Sequence, residues 1–400
     1  MTPRAHGPLP ATRPALYGGK PVRPHQRYLV FGAPALGEAE IAEVVDVLRS
    51  GWIGTGPRVA RFEAAFAAYA GSAQAVAVSS CTAALHLALL ASGVGPGDEV
   101  VTTPLSAAFT ALAVLQAGAR PVFVDVDPAT LNLDARRIEA ALSPRTKAIL
   151  PVHLYGHPAD MDPILALARD RGLAVLEDAC QAHGALYRGR PVGTLAGERG
   201  IGTLSFYPTK NLGALGDGGA VLVNDPALAK HLRQLRNGGQ SDKYRHELPG
   251  VNSRLDEIQA ALLRVGLRHL PAWTERRRAL AELYVRGLDG SAVEPLREQP
   301  YARAVHHLFV VRHPRRDALA AALRERGVGT LVHYPIPLHL QPVFAPLGGR
   351  PGDLPVAERA AGEILSLPLH PELRDEQAEA VVEAVRAAAR SVSVLGSTVI

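Results

Sequence analysis

The chain has 400 residues, 47% hydrophobic and 20% charged, the balance of a globular enzyme with room for one large domain and a smaller one. Its net charge of +5 arises from 43 Lys and Arg against 38 Asp and Glu, spread along the sequence without a basic block interleaved with aromatics, which argues against nucleic-acid binding. No run of about 18 apolar residues occurs, so no membrane span is expected, and Cys81 and Cys180 alone predict no disulfide framework and a reducing, cytoplasmic home.

The opening residues, Met1 to Pro8, lack the apolar segment of a secretory signal, and residues 1–27, rich in Pro and Gly, read as a loose tail. Helix and strand then alternate. Helical spacing runs from Glu38 to Ser50 and from Val59 to Ala70, with Phe62, Phe66 and Tyr69 on one stripe. Short apolar strands are expected at Ala75–Val78, Glu99–Thr103, Pro121–Val126, Ala148–Val152, Ala174–Glu177 and Ala220–Val223. Between them lie helices over Thr82–Ala91, Phe109–Ala117 and Met161–Arg171. Continuous apolar strands separated by helices predict an α/β fold whose mostly parallel sheet is covered on both faces. In such sheets the chemistry lies beyond the carboxyl ends of the strands. A long helix is expected from about Leu255, interrupted near Pro271. Shorter elements follow: a strand at His307–Val311 and helices at Asp317–Arg326 and Asp375–Ala389. The expected division is a large domain over residues 28–265, a smaller C-terminal α+β domain over 266–390 and a tail over 391–400.

Three segments carry chemistry. Ser79-Ser80-Cys81-Thr82-Ala83 follows a strand and opens a helix, so free N–H groups and the Thr82 hydroxyl can hold a phosphate. A plain helix N-cap accounts for Ser80 or Thr82 equally well. Glu177-Asp178-Ala179-Cys180-Gln181 stands at another strand end, where a buried carboxylate needs a partner such as a protonated ring nitrogen; a helix-capping Asp is the alternative. Lys210 is one of only five lysines, set between Ser205-Phe206-Tyr207-Pro208 and a glycine cluster. Arg cannot replace it if its amine must lose a proton and attack a carbonyl. A lysine for a Schiff base, an acid for a pyridinium and a helix N-terminus for a phosphate are together the parts that pyridoxal phosphate requires. No metal site is expected.

From about Leu29 to Ala388 the chain resembles the nucleotide-sugar aminotransferases of the DegT/DnrJ/StrS type. The resemblance is carried by Gly51-Trp52-Ile53-Gly54-Thr55-Gly56, Pro121–Asp127, Pro151-Val152-His153-Leu154-Tyr155-Gly156, the Asp178 and Lys210 segments, Asn252–Ala261 and His333-Tyr334-Pro335-Ile336-Pro337. It implies the aspartate-aminotransferase fold, fold type I, with pyridoxal 5'-phosphate as cofactor. By resemblance, Lys210 is the Schiff-base lysine and later the acid and base. Asp178 pairs with the pyridine nitrogen, and Gln181 lies over the ring. Thr82, the Ala83 backbone and Ser205 bind the phosphate. Asn237 reaches the phosphate of a neighbouring subunit, which implies a homodimer with shared sites. Arg254, His333 and Tyr334 are candidates for the sugar and amino-donor region; a helix salt bridge for Arg254 and loop packing for Tyr334 are the structural alternatives. Two departures stand out: Cys81 replaces a glycine usual in the family, and Ala107 stands where many members carry a ring-stacking aromatic, with Phe109 two positions on.

A dehydratase branch of the family replaces the lysine, so Lys210 favours transamination. The stretch Asp242–Glu257 resembles members that aminate the 3-keto group of dTDP-linked 6-deoxyhexoses. L-glutamate is the implied amino donor and a nucleotide-linked keto-sugar the acceptor. Amination at C4 or of a keto-cyclitol is the nearest alternative, and a non-catalytic, cofactor-binding regulatory module is the alternative of another class.

Overall fold

The computed structural model describes residues 29, 31 and 36–394. The expected tail over residues 1–27 therefore lies outside the described residues, as do residues 395–400. The central sheet has seven strands: β1 (Gln74–Val78), β2 (Glu99–Thr102), β3 (Arg120–Phe123), β4 (Thr146–Leu150), β5 (Ala174–Asp178), β6 (Ile201–Ser205) and β7 (Gly219–Val223). Their spatial order is β1-β7-β6-β5-β4-β2-β3. Only β7 runs against its neighbours; every other pair is parallel.

Strand periodicity explains why both faces are apolar. In β1, Ala75 and Ala77 enter one core while Val76 and Val78 enter the other. The first core is closed by Phe62 and Phe66 of α2 (Pro57–Ala70) and by Met161, Ile164 and Ala168. The second is closed by Leu85, Leu87 and Leu89 of α3 (Cys81–Ala91) and Val114 of α4 (Phe109–Gln116). Helices α1 (Glu38–Ser50), which precedes these, and α5 (Met161–Arg171), which carries those last apolar residues of the first core, match their expected bounds.

After β7 come α6 (Pro226–Leu235) and α7 (Glu257–Leu288). The expected break at Pro271 is absent: α7 is continuous for 32 residues. Pro271 is solvent-exposed and the packing of both flanks holds the helix together: Ala260, Leu263 and Leu270 belong to the sheet's core, whereas Leu280, Tyr284 and Leu288 belong to another. That third core lies under a three-stranded antiparallel sheet of β8 (Glu294–Pro295), β9 (Phe309–Arg312) and β10 (Ile364–Leu367), with α8 (Arg316–Glu325) and α9 (Asp375–Val394). Helix α9 continues past Arg390, where a tail was expected. Among the described residues, no helix is long and apolar enough to cross a membrane.

Candidate active site

The ends of β1, β2, β4, β5 and β6 lie along the carboxyl edge of the parallel strands, and the expected site residues follow from those ends. Strand alternation decides which of two adjacent carboxylates serves the site. Glu177 is fully buried and spent: its oxygens accept from Gly193 N (2.7 Å), Leu195 N (2.8 Å) and Ala196 N (3.3 Å), and His153 Nε2 lies 3.1 Å away. Asp178 points to the opposite side. Its Oδ2 accepts from the Thr110 hydroxyl at 2.8 Å and its Oδ1 from Cys180 N at 3.2 Å. Burial pushes this carboxyl above its ordinary value, opposed by those two hydrogen bonds and by the charge of Lys210. Asp178 is thus not a helix cap; it ends a strand. A carboxylate offers about four acceptor positions, so room remains for another donor.

Lys210 sits in the bend after β6, held by its own N–H to Tyr207 O (2.8 Å). Among the described residues its amine makes no hydrogen bond or ion pair. Desolvation draws that amine down to about 8, partly countered by the Asp178 charge. The lysine's own charge contributes to keeping His183, His307 and His333 neutral, after the larger effect of burial.

The helix N-terminus is set by a strand contact. Ser80 caps α3 by accepting from Ala83 N at 3.2 Å, so Ala83, expected to bind phosphate, is already engaged. The N–H groups of Cys81 and Thr82 and the Thr82 hydroxyl have no partner among the described residues. Gly219 pairs with Val78 on one side and with Ser205 on the other. A Cβ at Gly219 would stand 2.5 Å from the Ser80 carbonyl carbon and oxygen. The α3 N-terminus therefore rests on Gly219, one strand away from Ser205, whose Oγ accepts from Tyr207 N at 3.3 Å.

Gln181 acts as a clamp. Its Oε1 accepts from Tyr155 N (2.7 Å) and its Nε2 donates to the Tyr334 hydroxyl (3.2 Å). Tyr334 is thereby tied to the site, and burial raises its hydroxyl to about 12. His333 meets Ser366 Oγ through Nδ1 (2.9 Å), and its carbonyl accepts from the Tyr155 hydroxyl. Arg254 and Asn237 lie elsewhere: Arg254 is exposed, precedes α7, has no ion pair among the described residues and donates to Asn237 Oδ1 at 3.0 Å. Neither touches Lys210, Asp178 or Thr82 within the chain. Phe109, two positions on from Ala107, is 60% exposed.

One expectation is overturned. Cys81 and Cys180 are joined by a disulfide, with Cα atoms 6.7 Å apart and 99 positions apart in sequence. The sheet explains it: α3 starts where β1 ends, α3 packs across β6 and β5, and β5 ends two residues before Cys180. Both sulfurs lie within 4.8 Å of an Asp178 carboxylate oxygen. The expectation that the two cysteines form no disulfide is replaced by this link. Sequence reasoning also missed Thr110, whose hydroxyl reaches Asp178 from α4, and His183, whose ring nitrogens lack partners in a nest of Phe66 and Phe206. The Thr110 signal, a hydroxyl in the first turn of a helix after a sheet strand, is too common to be read alone.

A doubly covered parallel sheet with an unpartnered lysine amine, a buried aspartate and an open helix N-terminus at one edge defines a transferase of the aminotransferase type. The chain belongs to the DegT/DnrJ/EryC1/StrS aminotransferase family, whose model matches residues 34–386. It is 50% identical over 350 residues to the dTDP-3-amino-3,4,6-trideoxy-alpha-D-glucose transaminase of Streptomyces venezuelae, covering 87% of this chain and 91% of that one. It is also 50% identical over 350 residues to a protein of Geobacillus stearothermophilus called a pleiotropic regulatory protein, covering 86% of this chain and 93% of that one. Among solved structures, DesV of S. venezuelae in complex with a ketimine intermediate aligns with a TM-score of 0.85 at 50% identity, covering 88% of this chain and 94% of that one.

Proposed function

We propose that this aminotransferase uses pyridoxal 5'-phosphate to move an amino group from L-glutamate to the C3 keto group of a dTDP-linked 6-deoxyhexose in amino-sugar biosynthesis. The observation that carries the reading is the Lys210 amine, unpartnered among the described residues and drawn down by burial to about 8 against the opposing charge of Asp178. The residues fit the cofactor: a free helix N-terminus at Cys81 and Thr82 suits its phosphate, Asp178 keeps unused acceptor positions for its ring nitrogen, and the lysine amine is uncommitted. When bound, the cofactor supplies an aldehyde for the lysine and a ring that accepts the electron pair left on a carbon losing its proton.

The chain's own groups do the rest. The Cys81 and Thr82 N–H groups with the Thr82 and Ser205 hydroxyls would hold the phosphate, the Ala83 N–H being taken by the Ser80 cap, and Asp178 would keep the ring nitrogen protonated. Gln181, fixed by Tyr155 and Tyr334, would lie against the ring. The Lys210 amine would be the base and acid that moves the proton at the substrate carbon. His333 and Tyr334 would face the sugar or the donor carboxylate, and Arg254, bound to Asn237, would go with Asn237 to the site of a second copy. Asn237 serves the site of a second copy of the chain, consistent with its separation from Lys210 within one chain.

Support for the C3 position comes from the names of the Streptomyces venezuelae and Micromonospora megalomicea relatives, both called dTDP-3-amino-3,4,6-trideoxy-alpha-D-glucose transaminase, and from the stretch Asp242–Glu257. The test is a panel of 3-keto and 4-keto nucleotide sugars and keto-cyclitols run with glutamate, the position of the new amine being read by NMR. An amine at C4, or on a cyclitol alone, overturns the substrate assignment. A regulatory module, the reading favoured by the Geobacillus relative's name, predicts that glutamate leaves the bound cofactor's spectrum unchanged. Conversion to the pyridoxamine form excludes it.

A further inference from the structure

Asp178 receives a hydrogen bond from a residue that none of the functional motifs contains. Thr110, 1% exposed on the first turn of α4, reaches 68 positions along the chain to Asp178 Oδ2 at 2.8 Å. Ser106, 3% exposed, places its Oγ 2.9 Å from Thr110 Oγ1. The direction of this chain follows from proton counting. An ionised carboxylate can only accept, so Thr110 donates its single hydroxyl proton to Asp178. Thr110 then has only lone pairs to offer Ser106, so Ser106 donates to Thr110. Both protons point toward Asp178, and each bond polarises the next.

We propose that Thr110, backed by Ser106, is a positioning residue for amine transfer: the two hydroxyls fix the orientation of the Asp178 carboxylate and keep it charged where the cofactor's ring nitrogen must bind. The inference rests on the pyridoxal phosphate reading above. A structural role alone is a poor explanation. Thr110 does not cap its helix, since the N-cap position is Ala108 and no side-chain cap bond is made there. Its hydroxyl is spent on one functional carboxylate instead. The groups facing Asp178 are Thr110, the Cys180 N–H, Lys210, His153 and the nearby sulfurs. Against a desolvation that favours the neutral carboxyl, the Thr110 bond is the largest opposing influence. Deleting it leaves Asp178 easier to protonate and freer to rotate about its side chain.

The test compares wild type, Thr110→Val, Thr110→Ser and Ser106→Ala as purified full-length proteins. Three quantities are read: the dissociation constant of pyridoxal 5'-phosphate from the apoprotein, the pH dependence of the bound cofactor's absorbance, and kcat and KM for glutamate in the half-reaction. A hydrogen bond to a charged group accounts for about a tenfold or larger effect when it is removed. Thr110→Val is expected to weaken cofactor binding about tenfold, to lower kcat by at least as much with little change in KM, and to move the acid limb of the pH profile upward. Thr110→Ser, which keeps the hydroxyl, should restore all three toward wild type. Ser106→Ala should give a smaller shift in the same direction, and it serves as the readout if the valine variant does not fold. Wild-type pH limbs and cofactor affinity in Thr110→Val and Ser106→Ala overturn the proposal. A wild-type protein that neither binds the cofactor nor reacts with glutamate overturns the functional reading instead, so the two failures are distinct.

Discussion

Lys210 has no hydrogen-bond partner for its amine, and desolvation brings that amine to about 8. The sign of the consequence is direct. A lowered pKa means that a sizeable neutral fraction exists near pH 7.5, and only the neutral amine attacks an aldehyde. Capture of pyridoxal 5'-phosphate by the apoprotein should therefore accelerate as pH rises through about 8 and level off above it, as followed by absorbance in stopped flow. A rate independent of pH between 6 and 9 would count against the lysine. Lys210→Ala should lose both the lysine-linked cofactor band and turnover, while a variant with near wild-type rate would remove Lys210 from the chemistry. Asp178→Asn replaces an ionic hydrogen bond by a neutral one. It should retain some cofactor yet lose on the order of 100-fold in kcat, an effect the glutamate half-reaction measures.

At the scale of elements, the site depends on how closely α3 can lie on the sheet. Gly219 permits that approach, because any side chain there would meet the Ser80 carbonyl and Cys81 N within 3 Å. Gly219→Ala should lift the α3 N-terminus from β7, weaken cofactor binding and cost about 1–3 kcal/mol of stability. Denaturant melts and cofactor titration would measure both, and an unchanged cofactor affinity would show that the approach does not matter. Most elements were legible because their apolar runs are long and their boundaries marked: Met161–Arg171 ends at Gly172, and Glu38–Ser50 ends at Gly51. Lys210 and Asp178 were legible because lysine is rare here and a strand-end acid is costly. Strand Ile201–Ser205 was not, since Gly202 and Thr203 dilute its apolar signal and Gly193 packs directly on Gly202. The continuous α7 was missed because a local rule about proline was overridden by packing on both sides. The Cys81–Cys180 bond and the Thr110–Asp178 bond were invisible for a common reason: each joins segments that only the sheet's crossover order brings together.

For the molecule as a whole, several buried histidines share one behaviour. Burial lowers His183 to about 3 and His157, His306 and His333 to about 4. In the unfolded chain these groups take up protons below about 6.5, whereas in the folded chain they stay neutral. The unfolded state then binds more protons, so stability falls as pH drops below about 6.5 and continues to fall toward pH 4. A series of thermal melts should show a Tm that declines across that window, and a flat Tm would contradict the burial. Assembly can be tested by mixing Lys210→Ala with Asn237→Phe chains. Partial activity should return in hybrid dimers if Asn237 serves a neighbour's site, and none should return, despite proven exchange, if it only binds Arg254. The Cys81–Cys180 link also closes a covalent ring. The ring contains β2, β3, β4 and β5, four strands of the parallel sheet, and leaves β1, β6 and β7 outside it. The exposed Arg136–Arg137 step lies within the ring. A tryptic cut there should leave a single species on a non-reducing gel and release two fragments only after reduction, so the chain can be nicked in its middle and still remain one molecule.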